Sequence, residues 1–352
     1  MGRYLVLCPD RRSASGGVTV LYQIVSTLRA DGYDAIIVHQ SPNWKCTNVD
    51  YNVPIGYTDQ IQRVNLPEMG YRGKVRTAQK LIRARLPAFQ TQRITLALDD
   101  VIVCPEMYLD KAIKAFPNQP LVVFSQNSFV FQDAYCRALE RGLNPIEKTK
   151  YCIGISRTCL RSFELAGIGP VSYIPVSMNP ARFPFQENKE RLVTYMPRKR
   201  PREAALIEGA LRRRLNLNGY ELRSIDGVPL DEVRALMARS RIFISLMEEE
   251  ALGFPAAEAM ASGCIVAGYT GLGTEEYFDD TTGIPISEGD TFGLVEAVEA
   301  VVSEYDEDPR RLDAMRRRAS ERVNARYSTE LFEQTLLAQW AEIDSALANA
   351  SV

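Results

Sequence analysis

Two glutamates, Glu250 and Glu258, separated by seven residues, flank a segment whose residue types suit the binding of an activated alcohol. Ile242 to Leu246 reads as a buried strand, Ala251 to Phe254 as a short loop, and a helix opens at Pro255 before a second strand at Cys264 to Ala267. Strand, loop, helix, strand is the geometry of a ligand site. In an open α/β sheet, ligands settle outside the carboxyl ends of the strands, and a helix start there offers unpaired N–H groups to an anion. Proline in the first helical turn sharpens that start, and Gly253 lets backbone come close to a phosphate. A carboxylate beside such an anion site accepts hydrogen bonds from vicinal hydroxyls, as when a protein holds a ribose or a hexose. The same residues also fit a plainer account, with Glu248 to Glu250 a solvated acidic run and Glu258 matched to the helix dipole.

The elements that must position these residues can be read from the rest of the chain. Tyr4 to Cys8, the Gly16-Gly17 turn, apolar residues at helical spacing from Leu21 to Leu28, and Ala35 to Val38 form a βαβ opening. Buried-type strands recur at Val101 to Cys104, Leu121 to Phe124 and Tyr151 to Ile155, which predicts a parallel sheet covered on both faces. The proline-rich stretch between Ile174 and Glu190 breaks the pattern as an interdomain connection does. A second alternation follows, with strands at Leu192 to Met196, Tyr220 to Ile225 and Ile242 to Leu246. Asp290 is expected to cap one late helix and Ser328 another, whose Phe332, Leu336, Trp340, Ile343 and Leu347 make one apolar stripe. The expected organisation is two tandem Rossmann-like doubly wound α/β domains with a cleft between them. Residues 1–176 form the first, 177–190 a hinge, 191–327 the second, and 328–352 a terminal helix packing back on the first.

Composition narrows the function. The chain has 352 residues, enough for two cores, with 42 Lys and Arg against 44 Asp and Glu. A net charge of -2 gives no general attraction to nucleic acid. Seven scattered cysteines without a CxxC pair and a single histidine, His39, argue against a zinc site and a disulfide framework, and for a reducing compartment. No apolar run reaches the length of a signal peptide or membrane span, so a cytoplasmic protein is expected. The segment Arg72 to Arg93 carries seven basic residues interleaved with apolar ones. It suits peripheral contact with anionic lipid on the inner face of the membrane, or a solvated helix face. The pairs Asp99-Asp100 and Asp279-Asp280 lack the Asp-x-Asp spacing that bridges a diphosphate through a metal, so no metal or other cofactor is expected.

The run from Glu250 through Glu258 to Val266 resembles the E-x7-E signature of family 4 glycosyltransferases, retaining enzymes of GT-B fold with two Rossmann-like domains. The likeness extends to Gly227 through Met237, to Gly271-Leu272-Gly273, to the Gly16-Gly17 turn and to the terminal helix, so it covers nearly the whole chain. It implies that Glu250 contacts hydroxyls of the donor sugar and Glu258 the ribose, while backbone amides of Leu252, Gly253 and Phe254 face the diphosphate. Asp226, Gly227 and Val228 would lie near the base, and Gly16 and Gly17 near the donor phosphates or the reacting centre. Arg198 and Lys199 would stabilise charge building on the leaving diphosphate. Their spacing departs from the family, which places its lysine about five residues after the arginine. A second departure lies on the acceptor side, where many members carry a histidine and this chain has Gln126 and Asn127. An amide hydrogen-bonds sugar hydroxyls but shuttles no proton near neutral pH. The resemblance implies a retaining, metal-independent transfer from a nucleoside diphosphate sugar to an acceptor hydroxyl on a glycan, a lipid-linked sugar or a small molecule. Two alternatives stay open: a nucleotide-sugar epimerase of the same fold, and a non-catalytic two-lobed protein that binds a nucleotide or sugar.

Overall fold

The computed structural model describes residues 2–11, 15–46, 49–65, 91–178 and 180–349. The chain divides into two compact units, one of Met1–Ile174 with Glu333–Val352 and the other of Pro175–Phe332. Each is a Rossmann-like α/β domain built on a parallel sheet.

The strands of the first unit are β1 (Tyr4–Leu7), β2 (Ala35–His39), β3 (Ile55–Tyr57), β4 (Gln92–Arg93), β5 (Val101–Pro105), β6 (Leu121–Ser125), β7 (Thr149–Gly154) and β8 (Val171–Tyr173). They pair in the order β4-β3-β2-β1-β5-β6-β7-β8. Runs such as Ala35-Ile36-Ile37-Val38 and Val101-Ile102-Val103-Cys104 have no polar alternation because helices cover both faces of the central strands. The helix Gly16–Ala30 makes the first crossover, and Asn127 and Ser156 cap the helices Ser128–Glu140 and Arg157–Ala166 with their side-chain oxygens. Strand order turns outward in both directions from β1 and β5, so the switch point of this sheet lies between them.

The second unit holds β9 (Glu190–Tyr195), β10 (Glu221–Ser224), β11 (Ser240–Leu246), β12 (Ile265–Tyr269) and β13 (Ile284–Ile286), in the order β10-β9-β11-β12-β13. Val193, Ile242, Ile244, Ile265 and Ala267 form the buried floor on which the helices Pro201–Leu217 and Thr291–Glu307 rest. The switch point here lies between β9 and β11. Asp290 caps the helix that follows it through the Gly293 N–H at 2.8 Å.

The last helix, Thr329–Asn349, begins in the second unit and ends in the first. Ser328 accepts the Leu331 N–H at 3.1 Å, and Phe332, Leu336, Trp340 and Ile343 are wholly buried. Trp340 meets Tyr4 edge to face at 5.1 Å, and the Tyr4 hydroxyl donates to Asp344. A fully buried tryptophan in such a contact is expected to cost about 3–5 kcal/mol on truncation. Chemical denaturation of Trp340→Ala checks this, and a loss below about 1 kcal/mol would show that the helix is not docked as described.

Among the described residues no helix is long and apolar enough to cross a membrane. Of the basic segment Arg72 to Arg93, residues 72–90 lie outside the described residues.

Candidate functional site

The carboxyl edge of the second sheet gathers most of the residues singled out by the sequence. Arg198 and Lys199 follow β9, Asp226 to Val228 follow β10, and Glu248 to Phe254 follow β11. The two strands at the switch point therefore carry the cations and the first acid. Lys199 bridges the gap directly: its Nζ lies 2.5 Å from Glu250 Oε1 and donates to the Glu248 carbonyl at 2.9 Å. Arg198 is exposed and makes no ion pair among the described residues.

The third residue of this cluster, Arg200, has a structural task that its position in a basic run does not disclose. Its guanidinium pairs with Glu203 and Glu288, donates to the Met247 carbonyl at 3.2 Å, and stacks 4.9 Å from the Tyr269 ring. It ties the end of β9 to the loop after β11 and leaves Lys199 as the cation beside Glu250.

The loop from Met247 to Gly253 is held from below. Glu250 N–H donates to the Gly271 carbonyl at 2.9 Å, and a Cβ at Gly273 would lie 1.8 Å from the Glu250 carbonyl oxygen, so the glycine turn after β12 can approach only without a side chain. Tyr277 is wholly buried and its hydroxyl is shared between the carbonyls of Leu252, at 2.7 Å, and Gly253, at 3.0 Å. Burial pushes its phenol far up, so it stays a donor. With those carbonyls anchored, the N–H groups of Leu252, Gly253 and Phe254 carry no hydrogen bond among the described residues. They stand at the start of the helix Phe254–Ala261, with Gly253 in the left-handed conformation at φ 66° and Pro255 in the first turn. The arrangement is a set of free donors at a helix start, suited to a diphosphate.

Glu258 lies one turn into this helix. It is half-buried, and its side chain makes no hydrogen bond or ion pair among the described residues. Burial raises its carboxyl to about 8, against a smaller opposing pull from Arg234. A half-buried acid without a partner is costly unless a ligand supplies donors. Asp226 and Gly227 are exposed in the loop after β10, where Gly227 has φ 66°.

The remaining candidates sit at the carboxyl edge of the first sheet. Gly16 and Gly17 open the first helix after β1, and Gln126 follows β6 with its Nε2 donating to the Gly17 carbonyl at 3.2 Å. The Asn127 oxygen is used as a helix cap, accepting the N–H groups of Phe129 and Val130. His39 is buried at the end of β2, where Tyr22 hydroxyl and Nε2 lie 3.1 Å apart. Sequence reasoning passed over Tyr277, whose donor role follows only from its burial under the loop, and Glu106, a buried acid after β5. Among the described residues no three His, Cys, Asp or Glu side chains form a group able to hold a metal.

Residues 189–338, which contain this edge, match the family model described as "Glycosyl transferase-like". The chain is 29% identical over 221 residues to an alpha-1,6-glucosyltransferase of Actinobacillus pleuropneumoniae serotype 7 (strain AP76). That match takes in 56% of this chain and 62% of the relative's length. Among solved structures, HepE of Anabaena in complex with UDP is similar over 97% of this chain and all of its own, with a TM-score of 0.63 at 14% identity. Sucrose-phosphate synthase of Thermosynechococcus elongatus is similar over 98% of this chain and all of its own, with a TM-score of 0.64 at 15% identity. Residues 189–338 are thus glycosyltransferase-like in sequence, and the chain as a whole shares the two-domain Rossmann-like GT-B fold of these solved structures.

Proposed function

We propose that the chain is a retaining glycosyltransferase that moves a hexose from a nucleoside diphosphate sugar to an acceptor hydroxyl without a metal ion. The observation that carries the reading is the unpaired, half-buried Glu258 beside three free N–H groups, with the Lys199–Glu250 pair at the neighbouring strand end. In this reading the ribose hydroxyls satisfy Glu258, and the amides of Leu252, Gly253 and Phe254 take the diphosphate. Lys199 shifts from Glu250 to the phosphate, which frees Glu250 for hydroxyls of the sugar. The second unit's edge is assigned to the donor, with Asp226 to Val228 toward the base and Arg198 as a second cation. The first unit's edge, with Gly16, Gly17 and Gln126, is assigned to the acceptor.

As the bond from the anomeric carbon to the diphosphate breaks, the acceptor oxygen bonds to that carbon on the same face. Its proton goes to the departing phosphate oxygen. No enzyme base takes part, which is consistent with amides at 126 and 127. Fixed positive charge is worth most where negative charge develops, so Lys199 acts chiefly in this step. The UDP complex of HepE and the glucosyltransferase relative support UDP-glucose as the first donor to test.

Calorimetric titration of the full chain with UDP, GDP and ADP, together with release of diphosphate from the matching sugars, tests the proposal. One nucleotide is expected to bind, and Lys199→Met to lower kcat by roughly 100-fold. Binding without turnover of any sugar would instead indicate a non-catalytic binder, and no binding at all would remove the reading.

A further inference from the structure

Glu106 is the buried acid that this scheme leaves unused. It follows β5, whose neighbour across the switch point is β1. Only 4% of the residue is exposed. Its Oε2 accepts the backbone N–H of Gln126 at 3.1 Å, and the Gln126 side chain donates to the Gly17 carbonyl at 3.2 Å. A Cβ at Gly17 would lie 3.1 Å from Gln126 Oε1, so the turn and the amide are already in close contact. The ends of β5 and β6 and the start of the helix Gly16–Ala30 are joined by this one chain of hydrogen bonds.

Packing alone does not call for a carboxyl here. The titratable groups that face it are the thiols of Cys104 on β5 and Cys159 on the helix Arg157–Ala166, both buried and neither a cation. Burial pushes the carboxyl up to about 7, while the Gln126 N–H pulls the other way. A glutamine would accept the same N–H without the cost of desolvating a charge. What the position supplies is a buried acceptor oxygen, set at the switch point where ligands of open α/β sheets collect.

We propose that Glu106 is a positioning residue of the transfer reaction, holding Gln126 and, through it, the Gly16-Gly17 turn in the arrangement that receives the acceptor hydroxyl. The inference rests on the transferase reading above. Glu106 touches no substrate itself. It acts through the Gln126 backbone, so its removal lowers the rate of the bond-making step and leaves donor binding in place.

The test uses the full chain with UDP-glucose, GDP-mannose and ADP-glucose as donors and water as acceptor, reading diphosphate release, with calorimetry of the free diphosphates alongside. Glu106→Ala is expected to lower kcat at least about tenfold, since small misplacement of a reacting group costs up to about 100-fold, with donor KM within about twofold. Glu106→Gln keeps an acceptor oxygen and is expected to recover most of the rate, and thermal melts of each variant separate a loss of fold from a loss of rate in the folded protein. Gln126→Ala, at a half-buried position, is expected to repeat the kcat loss, and the double variant to be no worse than either single one. If Glu106→Ala fails to fold, the Gln126→Ala and Glu106→Gln rates decide the matter. Full activity of Gln126→Ala, or of Glu106→Ala, overturns the role, as does a Glu106→Gln rate as low as that of alanine. A wild-type chain that releases no diphosphate takes down the transferase reading and this one with it, whereas an active wild type with an indifferent Glu106 sinks only the second.

Discussion

Gly253→Ala is expected to abolish measurable binding of the nucleoside diphosphate and to destabilise the second unit by about 3 kcal/mol. The residue has φ 66°, where a side chain costs about 1–2 kcal/mol. A Cβ there would also lie 2.1 Å from Met247 Sδ and 2.7 Å from Thr274 Cγ2. The methionine end can swing away. Thr274 cannot, because it is branched at Cβ and its hydroxyl is tied to the Thr270 carbonyl at 2.6 Å. Overpacking of this kind adds about 1–3 kcal/mol. The loop must therefore lift, drawing the carbonyls of Leu252 and Gly253 off Tyr277 and turning the free N–H groups away from the anion. Denaturant titration and calorimetry on the same preparation check both halves. A variant with wild-type stability and affinity would mean that the loop conformation is not the one described.

Glu258→Gln is expected to act in opposite directions on stability and on binding. The folded carboxyl sits at about 8, raised by burial from an ordinary value of 4.5. Between those values the folded chain holds a proton that the unfolded chain has released. Stability then falls as pH rises through this window and levels off above it. A full one-proton difference changes stability by roughly 1.4 kcal/mol per pH unit, an upper bound for a half-buried group. Glu106, raised to about 7, adds a decline of the same sign over a narrower window. The glutamine variant should therefore be more stable than wild type at pH 8 and little changed near pH 5. Ribose hydroxyls donate to the ionised acid, so nucleotide binding should release a proton and strengthen from pH 6 to pH 8. The variant should lose about 10- to 100-fold in affinity at pH 8, the usual worth of hydrogen bonds to a charged group. Thermal melts and calorimetry across pH check both signs. Pairing of higher stability with unchanged affinity would remove Glu258 from the nucleotide site.

The architecture was legible wherever burial is continuous along the chain. Val101 to Cys104, Leu121 to Phe124 and Ile242 to Leu246 are buried on both faces and could be read without their partners. The short strands β3, β4, β8 and β13 were not read, since three residues or fewer carry no period and owe their conformation to the neighbouring strand. At the candidate site, the placement of Arg198, Lys199, Glu250 and Glu258 near strand ends and a helix start follows from local pattern. Which cation meets which acid does not: Arg198, Lys199 and Arg200 are consecutive in sequence, yet only Lys199 reaches Glu250. Asn127 shows the opposite case. An asparagine directly before Ser128 and Phe129 is a recognisable helix cap, and the structure uses its oxygen that way. Glu106 follows Pro105 with no local sign of burial, and it is the helix Ser128–Glu140 and β6, packed on residues 106–108, that enclose it.

The path of the helix Thr329–Asn349 bears on the order in which the molecule assembles. Tyr4, in β1, is covered by Trp340, which is made only after the whole of residues 175–332. A nascent chain leaving the ribosome can complete residues 175–332 while the earlier-made unit still lacks its last layer, which inverts the usual N-terminal-first sequence of maturation.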